Sequence, residues 1–478
     1  MQNIGASQAE PKSHSDSARV IANFTLYNPS QSCYPLLRRS LLLTALTCTP
    51  GTFPLHLRPY LSHIMANYAE HLPPAIEDAV IQELLHHVGL PVAAAIDKLS
   101  VAAQFHGVYL LSFTSSDLSR LWPATTTDLI LRVSGTHIPT IKTRNEVACL
   151  SWVGKHTSIP VPTVVRWDAT SSNPLGHEYM LLDRVPGKSV DAIYDSLDDG
   201  HKEALVRQLA QILVQMHNVR WEHVGGLTLD DADIEGASIR PGPVLDETFW
   251  QPPDIKTFWD PVVPGETFAS LNVGGPFGSY TAYAAAQLSK YAHAISKHPN
   301  LEFVRDLLPR VKRLVLVLQD ASESLTATID SSQKYVLAHR DLHLGNVMYN
   351  LESRLVTGVL DWEFASVVPE RMWNPVRCFL WNARETPDSK SEQQKLLHIF
   401  KTECTELGAF FYVEGIMERR AGDDECIGQE AAQQLRAALH SLLLYLGGMV
   451  NHFPRGNRLD RADTWKIETQ SALHTLGF

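Results

Sequence analysis

Apolar side chains recur at helical intervals in some stretches of the chain and in β-like runs in others. Residues 75–88, AIEDAVIQELLHHV, and 143–156, TRNEVACLSWVGKH, show the helical spacing. Five further stretches are β-like: 97–105, 107–113, 128–135, 158–168 and 177–187. The part of the chain before residue 190 is therefore predicted to form a sheet accompanied by helix.

After residue 190 the pattern becomes mostly helical. The predicted helices are 201–217, 281–296, 301–328, 389–409 and 427–446. One hairpin interrupts them, since VMYN at 347–350 and RLVTGVL at 354–360 are β-like runs around the polar turn LESR. Strands first and helices second predict an α+β, two-lobed fold. We expect a β-rich N-lobe at 65–186 and a larger helical C-lobe at 187–478, after an extension at 1–64.

Composition narrows the class of protein. With 44% hydrophobic and 19% charged residues, the 478-residue chain is typical of a soluble enzyme. A net charge of -11 argues against nucleic-acid binding and is compatible with a cationic substrate. No apolar run approaches the roughly 20 residues of a spanning helix, so no integral membrane segment is expected. The six cysteines lack CxxC or zinc-site spacing and indicate reduced thiols.

The N-terminal extension leaves two interpretations open. No acidic residue lies between Asp16 and Glu70, while arginine, serine and threonine are present, as in a mitochondrial transit peptide. Alternatively, the extension is disordered or mis-annotated and the chain starts at Met65. We favour the second interpretation and therefore expect a cytoplasmic protein, with a mitochondrial location as the alternative.

A dense group of polar residues, HRDLHLGN, precedes the hairpin. Antiparallel pairing brings Asn346 and Asp361 to the same end of the hairpin, and Asp341 lies on the loop that leads into it. One carboxylate could then act as a base, while an amide and a second carboxylate could hold a hard cation such as Mg²⁺. The alternative is a turn whose Asp and Asn side chains satisfy its own backbone. The number of ionisable groups favours a catalytic or metal-binding site over such a turn.

A second candidate pair comes from the predicted N-lobe. Arg132 lies on the face of its strand opposite the most apolar positions, and Glu146 lies on the apolar stripe of the helix at 143–156. An unpaired buried carboxylate costs several kcal/mol, so Glu146 needs a cationic partner. We expect Arg132 to be that partner, whereas Lys142, the alternative, is expected to be solvated.

The motif HRDLHLGN…LDWE resembles that of the aminoglycoside-phosphotransferase and choline-kinase type of phosphotransferase, a branch of the protein-kinase-like fold, and fungal members in particular. This resemblance implies an enzyme that uses ATP and Mg²⁺ to phosphorylate a hydroxyl group of a small molecule. It implies that Asp341 is the catalytic base and that Asn346 and Asp361 are the Mg²⁺ ligands. A protein kinase is disfavoured, because His343 stands where such enzymes usually carry lysine and DWE replaces DFG.

The same resemblance assigns a nucleotide site. It places Gly107 at the tip of the loop over the phosphates, makes Arg132 with Glu146 the phosphate-binding pair, and puts the backbone from Leu182 to Arg184 beside the adenine. Arginine in place of the usual lysine, and a loop with one glycine, leave open a pseudo-kinase that binds nucleotide without catalysis. A mitochondrial maintenance protein with a kinase-like fold is a further alternative. The sequence does not name the acceptor.

Overall fold

The computed structural model describes residues 71–100, 105–114, 128–229, 238–331, 333–373, 386–409 and 427–478. The predicted extension at 1–64 and the alternative start at Met65 lie outside these residues. The described residues form a β-rich N-lobe followed by a larger helical C-lobe. The predicted α+β, two-lobed fold is therefore confirmed.

One antiparallel sheet forms the N-lobe. Its strands are β1 (Ala95–Lys98), β2 (His106–Ser112), β3 (Asp128–Ser134), β4 (Val164–Asp168) and β5 (Tyr179–Asp183). They lie in the order β1-β2-β3-β5-β4. Strand β3 buries Leu129, Leu131 and Val133 and turns Arg132 to the opposite face, as the alternation predicts.

The predicted strand at 97–105 is wrong in its position. Strand β1 ends at Lys98, which pairs with Tyr109 of β2. Leu99, Ser100 and Phe105 belong to no strand, and residues 101–104 lie outside the described residues.

Two helices accompany this sheet. Helix α1 (Asp78–His87) buries Ile81, Leu84 and Leu85 in the apolar cluster that it shares with the sheet. Helix α2 (Ile141–His156) instead contributes its apolar side chains to the large cluster that it shares with the C-lobe helices. Helix α2 is therefore packed against both lobes, and this fixes the place of the polar residues that it carries.

The C-lobe consists mainly of helices. They are α3 (Asp199–Asn218), α4 (Tyr280–Lys297), α5 (Leu308–Gln319), α6 (Ser324–Asp330), α7 (Pro387–Glu406), α8 (Ile427–His452) and α9 (Ala462–Thr475). Asp198 and Ser279 cap α3 and α4 by accepting hydrogen bonds from backbone N–H groups of the first turn. Shorter helices occur at Val190–Ile193, Pro252–Asp254 and Phe268–Leu271.

The single helix predicted at 301–328 is wrong, because three elements occupy this stretch. A 3₁₀ segment (Pro299–Leu307) leads into α5, and a turn separates α5 from α6. In that turn the Asp320 carboxylate accepts hydrogen bonds from the N–H and hydroxyl groups of Ser322. Such local bonds compete with the helical pattern and end it. The last helix, α9, was not predicted.

Small β-elements lie among the helices of the C-lobe. Strands β10 (Val347–Asn350) and β11 (Leu355–Val359) form the predicted hairpin, which β6 (Lys188–Ser189) extends to three strands. The remaining strands form two-stranded sheets: β7 (Leu227–Leu229) with β8 (Ile239–Pro241), and β9 (Tyr335–Ala338) with β12 (Ser366–Pro369). None of the helices among the described residues is both long and apolar enough to cross a membrane.

Candidate active site

The polar residues of the HRDLHLGN segment are gathered at one end of the hairpin. Val347 pairs with Val359, so Asn346 lies beside Leu360, whose N–H donates to the Asn346 carbonyl at 2.8 Å. The Asn346 side-chain amide donates to the Asp341 carbonyl at 2.9 Å and to the Asp341 carboxylate at 3.3 Å. The structure thus brings Asp341 and Asn346 together, with Asp361 following Leu360 at the same end.

His343 lies near Oδ2 of Asp341, the same oxygen that accepts the Asn346 amide. Its Nε2 atom is 3.7 Å from Asp341 Oδ2, and its Nδ1 atom accepts the N–H of Gly345 at 2.9 Å. His343 is buried, while about a fifth of the Asp341 side chain is exposed. The Asp341 carboxylate is therefore flanked by fixed groups and is still accessible to a ligand.

His339 supports the loop from within the protein. It is fully buried, its Nε2 donates to the Leu360 carbonyl at 2.8 Å, and its ring packs against the Trp362 ring with 4.6 Å between centroids. Burial lowers the pKa of His339 to about 4, so the imidazole is neutral at neutral pH. This geometry indicates that His339 supports the loop.

Arg132 links the N-lobe to the end of the hairpin. Its Nη1 atom lies 2.5 Å from Glu146 Oε1, and its Nη2 atom lies 3.0 Å from Asp361 Oδ1. Burial acts to lower the pKa of Arg132, but Glu146 and Asp361 outweigh it and hold that pKa above its ordinary value. The pairing of Arg132 with Glu146, expected from the two amphipathic patterns, is present in the structure.

Glu146 lies in an interior position, as its place on the apolar stripe predicts. Its side chain is almost fully buried. Burial raises the pKa of Glu146 to about 7, although Arg132 acts in the opposite direction. The guanidinium of Arg132 therefore stabilises a carboxylate that would be costly to keep charged alone.

The expectation that Lys142 is solvated is wrong. Lys142 is 1% exposed, and its ammonium lies 2.9 Å from Glu363 Oε2 and 3.1 Å from His106 Nε2. The helix begins at Ile141, two residues earlier than predicted, and therefore includes Lys142. Four residues before Glu146, Lys142 then lies on the same buried stripe, and this spacing could have revealed it.

Helix α2 is also tied to the DWE segment through Asn145. This side chain is fully buried, and its amide nitrogen donates to the carbonyls of Glu363 at 3.1 Å and Ala365 at 2.9 Å. Its amide oxygen accepts the N–H of Leu227 at 2.7 Å. Three backbone groups from the C-lobe are therefore satisfied by one side chain of α2, which fixes the helix beside Asp361.

Gly107 does not lie at the tip of a loop, so that prediction is wrong about its position. It belongs to strand β2 and pairs with Val133 of β3. His106, directly before it, already belongs to the strand, and residues 101–104 of the β1–β2 connection lie outside the described residues. Whether this connection covers phosphates stays a prediction.

The predicted adenine-binding segment includes the end of β5, which lies between β3 and β4 in the sheet. Leu182 pairs with strands on both sides, the Asp183 N–H donates to Thr163 at 3.0 Å, and the Arg184 N–H donates to Asp128 at 3.3 Å. These N–H groups are thus engaged within the protein, and the contact of this segment with adenine stays a prediction.

The chain then passes to the C-lobe through Gly187. This glycine has a φ of +105°, and a Cβ atom there would lie 2.6 Å from the Tyr349 carbonyl oxygen. Only glycine therefore allows this close approach of the connection to the hairpin strand β10.

Sequence reasoning missed the role of Arg340. This residue adopts a left-handed conformation with a φ of +65°. It donates to the Leu245 carbonyl at 2.7 Å and to Asp246 Oδ2 at 2.9 Å. A segment almost a hundred residues earlier thus anchors the residue before Asp341, and no local pattern in the sequence indicates that pairing.

Comparisons with known proteins place the chain among phosphotransferases. Residues 114–369, about half of the chain, match the model of the phosphotransferase enzyme family, APH. Two curated relatives, subtelomeric hrmA-associated cluster proteins from two strains of Aspergillus fumigatus, are 25% identical over 283 residues. The match covers 52% of this chain and 54% of each relative, so the chain spans about half the length of the curated relatives it matches.

Solved structures of aminoglycoside phosphotransferases also align with the chain. The gentamicin complex of APH(2")-IIa has a TM-score of 0.40 at 11% identity, covering 84% of this chain and 97% of that one. A ternary complex of APH(4)-Ia with ADP and hygromycin B has a TM-score of 0.37 at 13% identity, covering 82% and 97%. Similarity at this level says nothing about the substrate of this chain.

Proposed function

Because the chain belongs to the phosphotransferase enzyme family, we propose that it transfers the γ-phosphoryl group of ATP to a hydroxyl group of a small molecule. Family membership confirms the resemblance expected from HRDLHLGN…LDWE. The observation that carries the proposal is the contact of Asn346 with Asp341 at the end of a hairpin whose Asp361 is bound by Arg132. The residues proposed as the base, as the metal ligands and as the phosphate-binding cation thus adjoin one another.

Asp341 is proposed to accept the proton of the substrate hydroxyl. Its side chain is partly exposed, and its Oδ2 atom accepts from Asn346 and lies near His343, which limits its orientations. A fixed base next to the acceptor contributes mainly by positioning, as expected for phosphoryl transfer, where most catalysis is orientation and electrostatics.

Asn346 and Asp361 are proposed to hold Mg²⁺. The Asn346 amide nitrogen faces Asp341, which directs the amide oxygen to the other side, and Asp361 supplies carboxylate oxygen. An amide and one carboxylate suit a metal that usually completes its shell with substrate phosphates and water. Bound there, Mg²⁺ would offset charge on the phosphates of ATP.

Arg132 is proposed to bind the nucleotide phosphates. Glu146 holds one end of its guanidinium, and the other end reaches Asp361, beside the proposed metal ligands. Arginine stays charged and can bind two oxygens at once, so it can take the role of the lysine that is common at this strand position. ATP is proposed as the nucleotide on the resemblance alone.

A screen for phosphoryl transfer tests this proposal. The purified chain is incubated with ATP labelled in its γ-phosphoryl group, with and without Mg²⁺, and with aminoglycosides, choline, ethanolamine, sugars and amino-alcohols. We expect Mg²⁺-dependent labelling of at least one class. The absence of both labelling and nucleotide binding would contradict the proposal. Nucleotide binding without phosphoryl transfer would support the pseudo-kinase alternative. Generic protein substrates, included in parallel, test for protein kinase activity.

A further inference from the structure

A buried ammonium group lies among the acidic residues of the site. Lys142 contacts Glu363 at 2.9 Å and His106 at 3.1 Å, and its side chain is almost inaccessible. His106, Glu146 and Glu363 are all buried, and their potential ligand atoms lie within 4.8 Å of one another. Such a set would suit a metal cation, but the Lys142 ammonium already contacts two of its three members.

The turn before α2 is strained, and Lys142 is the second residue of the helix that follows it. Ile138 has a φ of +45° and Thr140 a φ of +66°, a conformation that β-branched residues rarely adopt. Two buried side chains hold this turn, since Gln251 accepts the Ile138 N–H at 2.9 Å and Glu178 accepts the Thr140 N–H at 2.6 Å. Strain that is retained in this way is concentrated at functional positions.

The distances divide the acidic groups between the two cations. Lys142 lies 2.9 Å from Glu363 Oε2, whereas Arg132 Nη2 lies 3.9 Å from the same atom and 3.0 Å from Asp361. Glu363 is therefore neutralised chiefly by Lys142. Without Lys142, the buried carboxylate of Glu363 would attract the guanidinium of Arg132, because His106 Nε2, 3.5 Å from Glu363 Oε2, belongs to an imidazole whose pKa is held well below its ordinary value by burial.

We propose that Lys142 is a positioning residue that neutralises Glu363 and thereby keeps Arg132 available for the nucleotide phosphates. Glu363 is, by the same argument, an ion-pair partner within the protein and not a metal ligand. The inference rests on the proposed function, because it requires that nucleotide binds at Arg132.

Nucleotide affinity measured without turnover tests the role of Lys142. The dissociation constant of the non-hydrolysable analogue AMP-PNP with Mg²⁺ is measured by calorimetry, and unfolding of each variant is measured in parallel. We expect Lys142→Met to weaken binding at least tenfold. The double variant Lys142→Met/Glu363→Gln should bind within about threefold of the wild type, because removing both charges leaves Arg132 with its original partners. Lys155→Met, on the exposed end of the same helix, is the control.

Two outcomes would overturn the proposal. Lys142→Met could lower thermal stability and leave the dissociation constant unchanged, which would make Lys142 purely structural. The double variant could bind AMP-PNP as weakly as Lys142→Met. This result would show that loss of the lysine itself, and not the uncompensated charge of Glu363, weakens binding. Absence of binding to the wild-type chain would refute the proposed function and this inference with it.

Glu363→Gln gives an independent test should Lys142→Met fail to fold. We expect the Mg²⁺ concentration that gives half-maximal AMP-PNP binding to stay within twofold of the wild type. Asp361→Asn is the positive control and should raise that concentration. A tenfold increase in Glu363→Gln would show that Glu363 is a metal ligand and would overturn the proposal.

Discussion

Replacing Asp246 by alanine should destabilise the protein and the loop that carries Asp341. The Asp246 carboxylate lies 2.9 Å from Arg340 Nη2, and only 27% of the Asp246 side chain and 21% of the Arg340 side chain are exposed. Removing one partner of a fully buried ion pair costs about 3 to 5 kcal/mol. Because roughly a quarter of this pair is exposed, we expect the free energy of unfolding to fall by about 2 kcal/mol.

The loss should also affect turnover. Arg340 precedes Asp341 and is fixed by Asp246 and by the Leu245 carbonyl, so losing Asp246 should leave Asp341, the proposed base, less well oriented. Misplacement of a catalytic group by about 1 Å can cost about 100-fold in rate. We expect kcat to fall by about 10- to 100-fold, while KM for the nucleotide stays within about twofold, since Arg132 and Asp361 keep their contacts.

Urea-induced unfolding and steady-state kinetics measure both effects. The matched control is Asp199→Ala, because Asp199 lies 2.8 Å from Lys395 but these side chains are 80% and 47% exposed. Pairs of this kind contribute little, so the control should resemble the wild type. If Asp246→Ala is no less stable than the control, or if both variants lose stability equally, the predicted contribution of the Asp246–Arg340 ion pair is wrong.

Two further predictions concern stability. Burial lowers the pKa of His339 from 6.5 to about 4, so the stability that its neutral form contributes is complete above pH 6.5 and is lost as the pH falls through 4. The wild type should therefore lose about 3 kcal/mol more than His339→Gln between pH 7 and pH 4, measured by urea unfolding at each pH, and parallel curves would contradict this. Gly187→Ala should be clearly less stable in a thermal melt than Gly176→Ala, because both glycines have positive φ but only Gly187 would bring a Cβ atom to 2.6 Å from the Tyr349 oxygen. Equal melting temperatures would contradict the close approach.

Local periodicity was enough to predict the parts of the site that lie on regular elements. The alternation in β3 placed Arg132 on the face opposite the apolar positions, and the helical stripe of α2 placed Glu146 in the interior. Their pairing then followed from the cost of an unpaired buried charge. The hairpin was equally predictable, because its two β-runs and short turn fix which residues meet at its end.

Contacts distant in sequence could not be predicted in this way. Asp246 meets Arg340 across the C-lobe, and Lys142 meets Glu363 more than two hundred residues away. Helix periodicity indicates which face of α2 is buried but not which C-lobe atoms it meets. Lys142 was misjudged because lysine is seldom fully buried without a partner, and that partner lies in the DWE segment.

Gly107 was misplaced for a different reason. A glycine beside apolar runs indicates a turn, but here it lies within strand β2, opposite Val133. Pairing between neighbouring strands determined its position, and the pattern of a single segment does not contain that information.

Turnover and nucleotide binding of Asp341→Asn test directly whether Asp341 is the base of a phosphoryl transfer. The variant keeps the size of the side chain and removes its ability to accept a proton. We predict that phosphoryl transfer to the acceptor found in the screen falls by about 100- to 10,000-fold. The dissociation constant of AMP-PNP with Mg²⁺ should stay within about twofold of the wild type, because Arg132, Asn346 and Asp361 are intact. Wild-type turnover in Asp341→Asn would contradict the assignment of Asp341 as the base.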